Sequence, residues 1–169
     1  MTAHDHEGGG AMRAARIGVL AVLLAAGGGA AGAAELVVSA GMFNVGKSPT
    51  QAEAGLEARF AAKRWGLRPM AGLSATEEGS FWAYGGVVRP VALSERWTLT
   101  PGFGVALYEP GDGKELGGAV EFRSSLELSV AVSQRARLGA SIYHLSNAGL
   151  YDMNPGSNSI VVVIAIPLD

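Results

Sequence analysis

The 169-residue chain contains no cysteine. That excludes disulfide bracing and thiolate metal sites, and it fits a chain exported to an oxidising compartment. An excess of charge of either sign is lacking as well: 13 Lys and Arg stand against 15 Asp and Glu, a formal net charge of −2. No nucleic-acid partner is expected, because such binding rests on a basic surface that neutralises phosphates. Although 49% of the residues are apolar, no run beyond the N-terminal region reaches the roughly 18 apolar residues of a membrane helix. A helical membrane protein is therefore not expected. Internal repeats, heptads and linkers are also missing, and the length suits one domain.

The N-terminus reads as a signal peptide. Arg13 and Arg16 make a positive n-region, Ile17 to Ala26 an apolar h-region, and Ala31-Gly32-Ala33 a small-residue cleavage site. Residues 1–33 are therefore expected to be an extension and signal, and 34–169 the mature domain. His4 and His6 lie in a polar, Gly-rich stretch before Met12 and are read as tail rather than as a metal site.

From Glu35 onward the apolar pattern has period two, the period of strands. In Ala119 to Val132 the even positions are apolar apart from Ser124, while the odd ones include Glu121, Arg123 and Glu127. In Gln51 to Lys63 the even positions Ala52, Ala54, Leu56, Ala58 and Phe60 alternate with Glu53, Glu57 and Arg59. Strands that cross a bilayer at a tilt need about 9–11 residues, apolar toward lipid and polar toward the lumen. Eight such segments can be drawn: Leu36–Val45, Gln51–Trp65, Arg68–Thr76, Phe81–Ala92, Trp97–Tyr108, Ala119–Val132, Ala136–Ser146 and Asn158–Leu168. The expected fold is all-β, an eight-stranded antiparallel transmembrane β-barrel.

Connections alternate between tight turns (Gly66-Leu67, Ser94 to Arg96, Ser133 to Arg135) and longer Gly-, Pro- and Asp-rich loops, which belong on the periplasmic and outer sides respectively. Trp65, Trp82, Tyr84, Trp97, Tyr108, Tyr143 and Tyr151 fall mostly near segment ends and are expected in an interfacial girdle. The charged odd positions are expected to pair with one another inside a narrow, filled lumen.

Once the signal region is set aside, a single histidine remains, His144, two residues before Ser146. On a strand both side chains share one face. Leu138, Ala140 and Ile142 share it too, so both residues are expected to face outward, at the outer rim beside the loop Asn147–Ser157. A lone histidine beside a serine is more often a hydrogen-bonded surface pair than a catalytic one. Histidine is nevertheless the usual general base for a serine hydroxyl.

The run His144-Leu145-Ser146-Asn147-Ala148-Gly149, followed by Asn154-Pro155-Gly156 and a closing apolar strand, resembles the C-terminal signature of the lipid A 3-O-deacylase (PagL-type) family. The match is specific over about the last thirty residues and architectural elsewhere. What the resemblance implies is an outer-membrane esterase that removes an acyl chain, at position 3, from lipid A of lipopolysaccharide, with no cofactor or metal. Its partner would be outer-leaflet lipopolysaccharide, and a homodimer is allowed. Position by position, His144 matches the family's base, Ser146 its nucleophile, and Asn147, Ala148 and Gly149 the region implicated in holding the oxyanion. Where the family commonly has a Glu, this chain has Asn158; either Asn158 or the loop carboxylate Asp152 is then the candidate to orient His144. A non-catalytic small barrel and a lipid A acyltransferase are the competing readings.

Overall fold

A computed structural model describes residues 33–168; the expected signal peptide, apart from its last residue Ala33, lies outside them. The described residues form nine strands: β1 (Ala33–Phe43), β2 (Gln51–Phe60), β3 (Arg68–Thr76), β4 (Phe81–Val88), β5 (Val91–Ala92), β6 (Trp97–Glu109), β7 (Val120–Ser133), β8 (Ala136–Ser146) and β9 (Ser157–Pro167). Each pairs antiparallel with its neighbours, β1 closes on β9, and both β4 and β5 pair with β6. The result is a closed barrel of eight staves, the fourth broken at Arg89-Pro90. Proline has no N–H to give to the ladder, whereas Arg89 N–H still reaches Pro101 O at 2.9 Å.

The second stave is shorter than its sequence pattern: it stops at Phe60, and a short 3-10 turn (Arg64–Gly66) follows, with Trp65 at φ 62°.

Burial follows the alternation. On β7, Glu121, Arg123, Glu127 and Ser129 are buried while Leu126 and Leu128 are each 42% exposed. Exposed apolar and buried charged side chains invert the arrangement of a water-soluble protein and suit a wall bathed in lipid. Inside, Arg59 is the hub: Nε donates to Glu57 at 2.6 Å, Nη2 to Glu127 at 2.5 Å, and Glu35 lies 3.6 Å from Nη1. Tyr84 donates to Glu57 at 2.9 Å and Tyr143 donates to Glu53. The Arg123 guanidinium is sandwiched between the rings of Tyr84 (4.5 Å) and Tyr143 (4.2 Å). The expected pairing of lumen charges therefore holds for Glu57, Arg59 and Glu127. Glu53 and Arg123 turn to tyrosines instead, and the two Glu121 carboxylate oxygens have no hydrogen-bond partner among the described residues.

The aromatic girdle is corrected by the structure. Trp82, Tyr84, Tyr108 and Tyr143 are buried, and only Trp65, Trp97 and Tyr151 are exposed. Strand parity overrides position along the strand: the even residues of β4 and β6 and the odd residues of β8 point inward. There Phe43, Trp82 and Tyr108 stack with centroids 5.2 to 6.3 Å apart. Beneath them the free space within the mid-barrel charge network is about 20 Å³. That is little more than one water, while a cavity of about 210 Å³ opens among Glu35, Arg59, Arg68, Glu127 and Arg137 at the tight-turn end, so the barrel is plugged at its middle and is not a continuous channel.

At the end opposite the tight turns the loops are tied to one another. Asp112 N–H donates to Glu78 O at 3.1 Å, Lys114 Nζ to Asn44 Oδ1 at 2.6 Å, Asn147 Nδ2 to Leu116 O at 2.9 Å, and Lys47 Nζ to Pro155 O at 2.6 Å. This cross-tied end positions the site.

Candidate active site on the outer wall

His144 sits at the loop end of β8 and is exposed on the outward face, as its parity with Ala140 and Ile142 predicts. Register places it in a row across three strands, with Ser124 of β7 on one side and Asn158 of β9 on the other. Asn158 Oδ1 lies 2.8 Å from His144 Nδ1. A carbonyl oxygen only accepts, so this contact puts the proton on Nδ1 and leaves the Nε2 lone pair free. Asp152 is exposed in the following loop and makes no hydrogen bond to His144 among the described residues. Of the two residues expected to orient the histidine, the structure brings only Asn158 to it.

The other side of the ring rests on Gly156. A Cβ there would lie 2.9 Å from His144 Cε1 and 3.2 Å from Nε2, and the residue has φ +56°. The left-handed backbone favours glycine, and a Cβ here would push the His144 ring from its place. This gives a physical reason for the Gly of Asn154-Pro155-Gly156.

Ser146 ends β8, half-buried, opposite Phe122. It shares the outward face with His144 at the two-residue spacing of about 6.8 Å along a strand, and no hydrogen bond joins the two in this structure.

Beyond Ser146 the chain turns on Asn147, which is fully buried and holds the loop from inside. Its backbone N–H donates to Asn154 Oδ1 (3.1 Å), its Nδ2 to Leu116 O (2.9 Å) and Met153 O (2.8 Å), and its Oδ1 accepts from Gly149 N–H (3.0 Å). Leu150 N–H closes the turn on Asn147 O at 3.0 Å. Both central residues are left-handed, Ala148 at φ 53° and Gly149 at φ 81°, as a type I′ turn demands. An alanine in that region is strained by about 1–2 kcal/mol, and such strain collects at functional sites. The three residues expected to supply oxyanion donors are thereby sorted: the N–H groups of Asn147 and Gly149 are engaged within the loop, and that of Ala148 is the open one.

Beside His144 the wall is hollowed into a groove of about 490 Å³, lined by Val45, Ser124, Leu126, Ile142, His144, Asn158 and Ile160 among others. Ser124 and Val45 were not singled out as site residues in the sequence. The signal was there for Ser124, the one polar break in the apolar face of its strand.

With that geometry in place, comparison with known proteins is decisive. Residues 50–167 match the family described as lipid A 3-O-deacylase (PagL). The chain belongs to this family. Among solved structures it is similar to the outer membrane enzyme PagL, at 23% identity with a TM-score of 0.62, over 80% of this chain and all of that one. It is also similar to Neisserial surface protein A, at 11% identity and a TM-score of 0.62, over 83% and 100% of the two chains. A designed transmembrane β-barrel shares the architecture at 11% identity and a TM-score of 0.56, over 81% and 98%. No curated protein matches the chain. As a member of this family the protein is a lipid A deacylase, a carboxylic ester hydrolase of the Gram-negative outer membrane, embedded in the bilayer that contains its lipid substrate. The cross-tied loops accordingly face outward.

Proposed function

We propose that this barrel removes the 3-O-linked acyl chain from lipid A by serine–histidine nucleophilic hydrolysis on its outer wall. The observation that carries the reading is the contact of His144 Nδ1 with Asn158 Oδ1 beside a lipid-facing groove. It leaves Nε2 as the base, on the face shared with the Ser146 hydroxyl. A base with its partner held, next to a nucleophile two residues away, is the minimum needed to activate a serine.

The steps follow from these atoms. The acyl chain lies in the groove against Leu126, Ile142 and Ile160, and its ester carbonyl reaches the rim. Ser146 Oγ attacks the carbonyl carbon as its proton passes to His144 Nε2. The developing oxyanion is met by the Ala148 N–H, a fixed donor of the kind that contributes strongly to acyl transfer. Collapse breaks the ester C–O bond, and the imidazolium returns its proton to the sugar oxygen. Water, deprotonated by the same nitrogen, then releases the fatty acid from Ser146. The hydrogen bond between His144 and Ser146 forms in the substrate complex, since such bonds commonly tighten only there. Asn158 fixes the histidine tautomer without adding a negative charge, so it orients the base but stabilises the imidazolium less than a carboxylate does. The reading needs one copy of the chain and no cofactor; cleavage near Ala33 delivers the mature barrel.

The test uses purified barrel in detergent micelles with lipid A as substrate, following free fatty acid. Release without any added acyl acceptor is expected, and it is lost in Ser146→Ala. Release that depends on an acceptor lipid, with the acyl chain appearing on it, makes the protein an acyltransferase. No turnover under either condition makes it a non-catalytic barrel.

A further inference from the structure

The outer rim carries two ammonium groups that the hydrolytic reading does not use. Lys47, in the loop between β1 and β2, donates from Nζ to Pro155 O at 2.6 Å and more loosely to Gly156 O at 3.5 Å. Gly156 is the residue on which the His144 ring rests, so this cation stands one residue from the reacting centre. Lys114, in the loop between β6 and β7, donates from Nζ to Asn44 Oδ1 at 2.6 Å. Asn44 is fully buried, and its carbonyl oxygen accepts the Lys47 N–H at 3.2 Å. The two lysines therefore flank a single fixed residue.

Both ammonium groups are held by neutral oxygens. Among the described residues no carboxylate pairs with either, although Asp112 and Glu115 stand in the same loop as Lys114. In the lumen, by contrast, Arg59 and Arg68 meet carboxylates at 2.5 to 3.6 Å. Burial and the neighbouring positive charge of Lys47 push the Lys114 pKa down. Like charges on adjoining loops repel on their own, and an anion between them relieves that repulsion. Each ammonium has three donors, and each has one or more to spare. Lysine binds phosphate as a point charge without demanding a planar fork, which suits a group on a mobile lipid head.

We propose that Lys47 and Lys114 form a phosphate-binding subsite that holds a phosphate monoester of the lipid A head group and so selects which ester of the disaccharide reaches Ser146. This rests on the deacylase reading of the site. The argument is one of reach and charge: the acyl groove descends from His144 along the wall, while the lysines lie on the loop side of the same histidine. A substrate that is apolar at one end and anionic at the other is then held at both ends, with its ester between them.

The test separates binding from turnover. Barrel carrying Ser146→Ala, in detergent micelles, is titrated with lipid A bearing its phosphates and with the same lipid A after their removal. Adding Lys47→Gln and Lys114→Gln together should weaken binding of the phosphorylated lipid about tenfold or more, the worth of a lost charge-assisted bond, and leave the dephosphorylated lipid unchanged. Lys47→Arg should keep most of the affinity. Equal weakening for both lipids assigns Lys47 to loop bracing alone and overturns the subsite, as does unchanged binding of both. Heat-modified electrophoretic mobility verifies that each variant is a folded barrel. Because binding is read in a protein without the nucleophile, failure of the hydrolytic mechanism shows separately, as absence of fatty acid release by the unmodified chain.

Discussion

Charge in this barrel is densest where no chemistry is expected. The lumen holds Glu35, Glu53, Glu57, Arg59, Arg123 and Glu127 within a closed wall, and most of their donors and acceptors meet one another or a tyrosine hydroxyl. The outer wall near His144 has only a handful of polar side chains, yet a base nitrogen, a hydroxyl and one backbone N–H there remain unengaged. Paired groups fix a structure, whereas groups left open beside a groove are available to a substrate. Counting titratable residues would have pointed inside the barrel, and counting uncommitted atoms points to its rim.

The sharpest way to break this contrast is to remove the open groups. Ser146→Ala and His144→Ala should each lower deacylation by three orders of magnitude or more. Heat-modifiable mobility should be unchanged, because deleting an exposed histidine or one half-buried hydroxyl at the rim removes little packing. The double variant should be scarcely worse than either single one, since members of such a unit are not additive. Kinetics of fatty acid release on the three proteins check this.

The next largest effect lies on the other side of the wall and has the opposite character. Arg59→Met leaves Glu127 without its cation inside the barrel and leaves Glu57 and Glu35 to Tyr84 and Arg68 alone. Breaking a buried pair on one side typically costs about 3–5 kcal/mol, so the urea midpoint of unfolding should fall well below that of the parent barrel. Turnover per folded molecule should stay the same. A fall in turnover without a fall in stability would mean that the lumen takes part in catalysis.

Two smaller changes sharpen the geometry around the histidine. Asn158→Glu should hold or raise turnover, because the carboxylate keeps the tautomer and adds a charge next to the imidazolium. Asp152→Ala should leave it within about twofold, the scatter expected of a surface change away from any contact. If Asn158→Glu is inert and Asp152→Ala inactive, the loop aspartate moves to the histidine when substrate binds.

Much of this was legible in the sequence because a membrane strand writes its two environments in alternate residues. Eight staves, the outward face of His144 and the buried charges of β2 and β7 all follow from parity. Other features depend on contacts between segments far apart in the chain, which alternation does not encode. Trp82, Tyr84, Tyr108 and Tyr143 sit near strand ends, as girdle residues would, and the contacts that receive them inside come from other strands: Phe43 for Trp82 and Tyr108, Arg123 for Tyr84 and Tyr143. The break at Arg89-Pro90 was hidden in a run that otherwise continues across it. Lys47 gave no signal, since its partners Pro155 and Gly156 are more than a hundred residues away. Asn147 was assigned to the oxyanion region, while its wider task of anchoring the loop through Leu116 and Met153 emerges only when the loops stack.

Ser124 makes the most direct test possible, because His144 has a serine on each side: Ser146 two residues on along its own strand, and Ser124 opposite it on β7, lining the groove. Mass spectrometry of lipid A from cells expressing the parent chain, Ser146→Ala or Ser124→Ala decides between them in one comparison. The account predicts that the parent and Ser124→Ala both yield lipid A lighter by one ester-linked acyl chain, and that Ser146→Ala leaves it intact. Intact lipid A with Ser124→Ala and deacylated lipid A with Ser146→Ala would contradict it, transferring the nucleophile to β7.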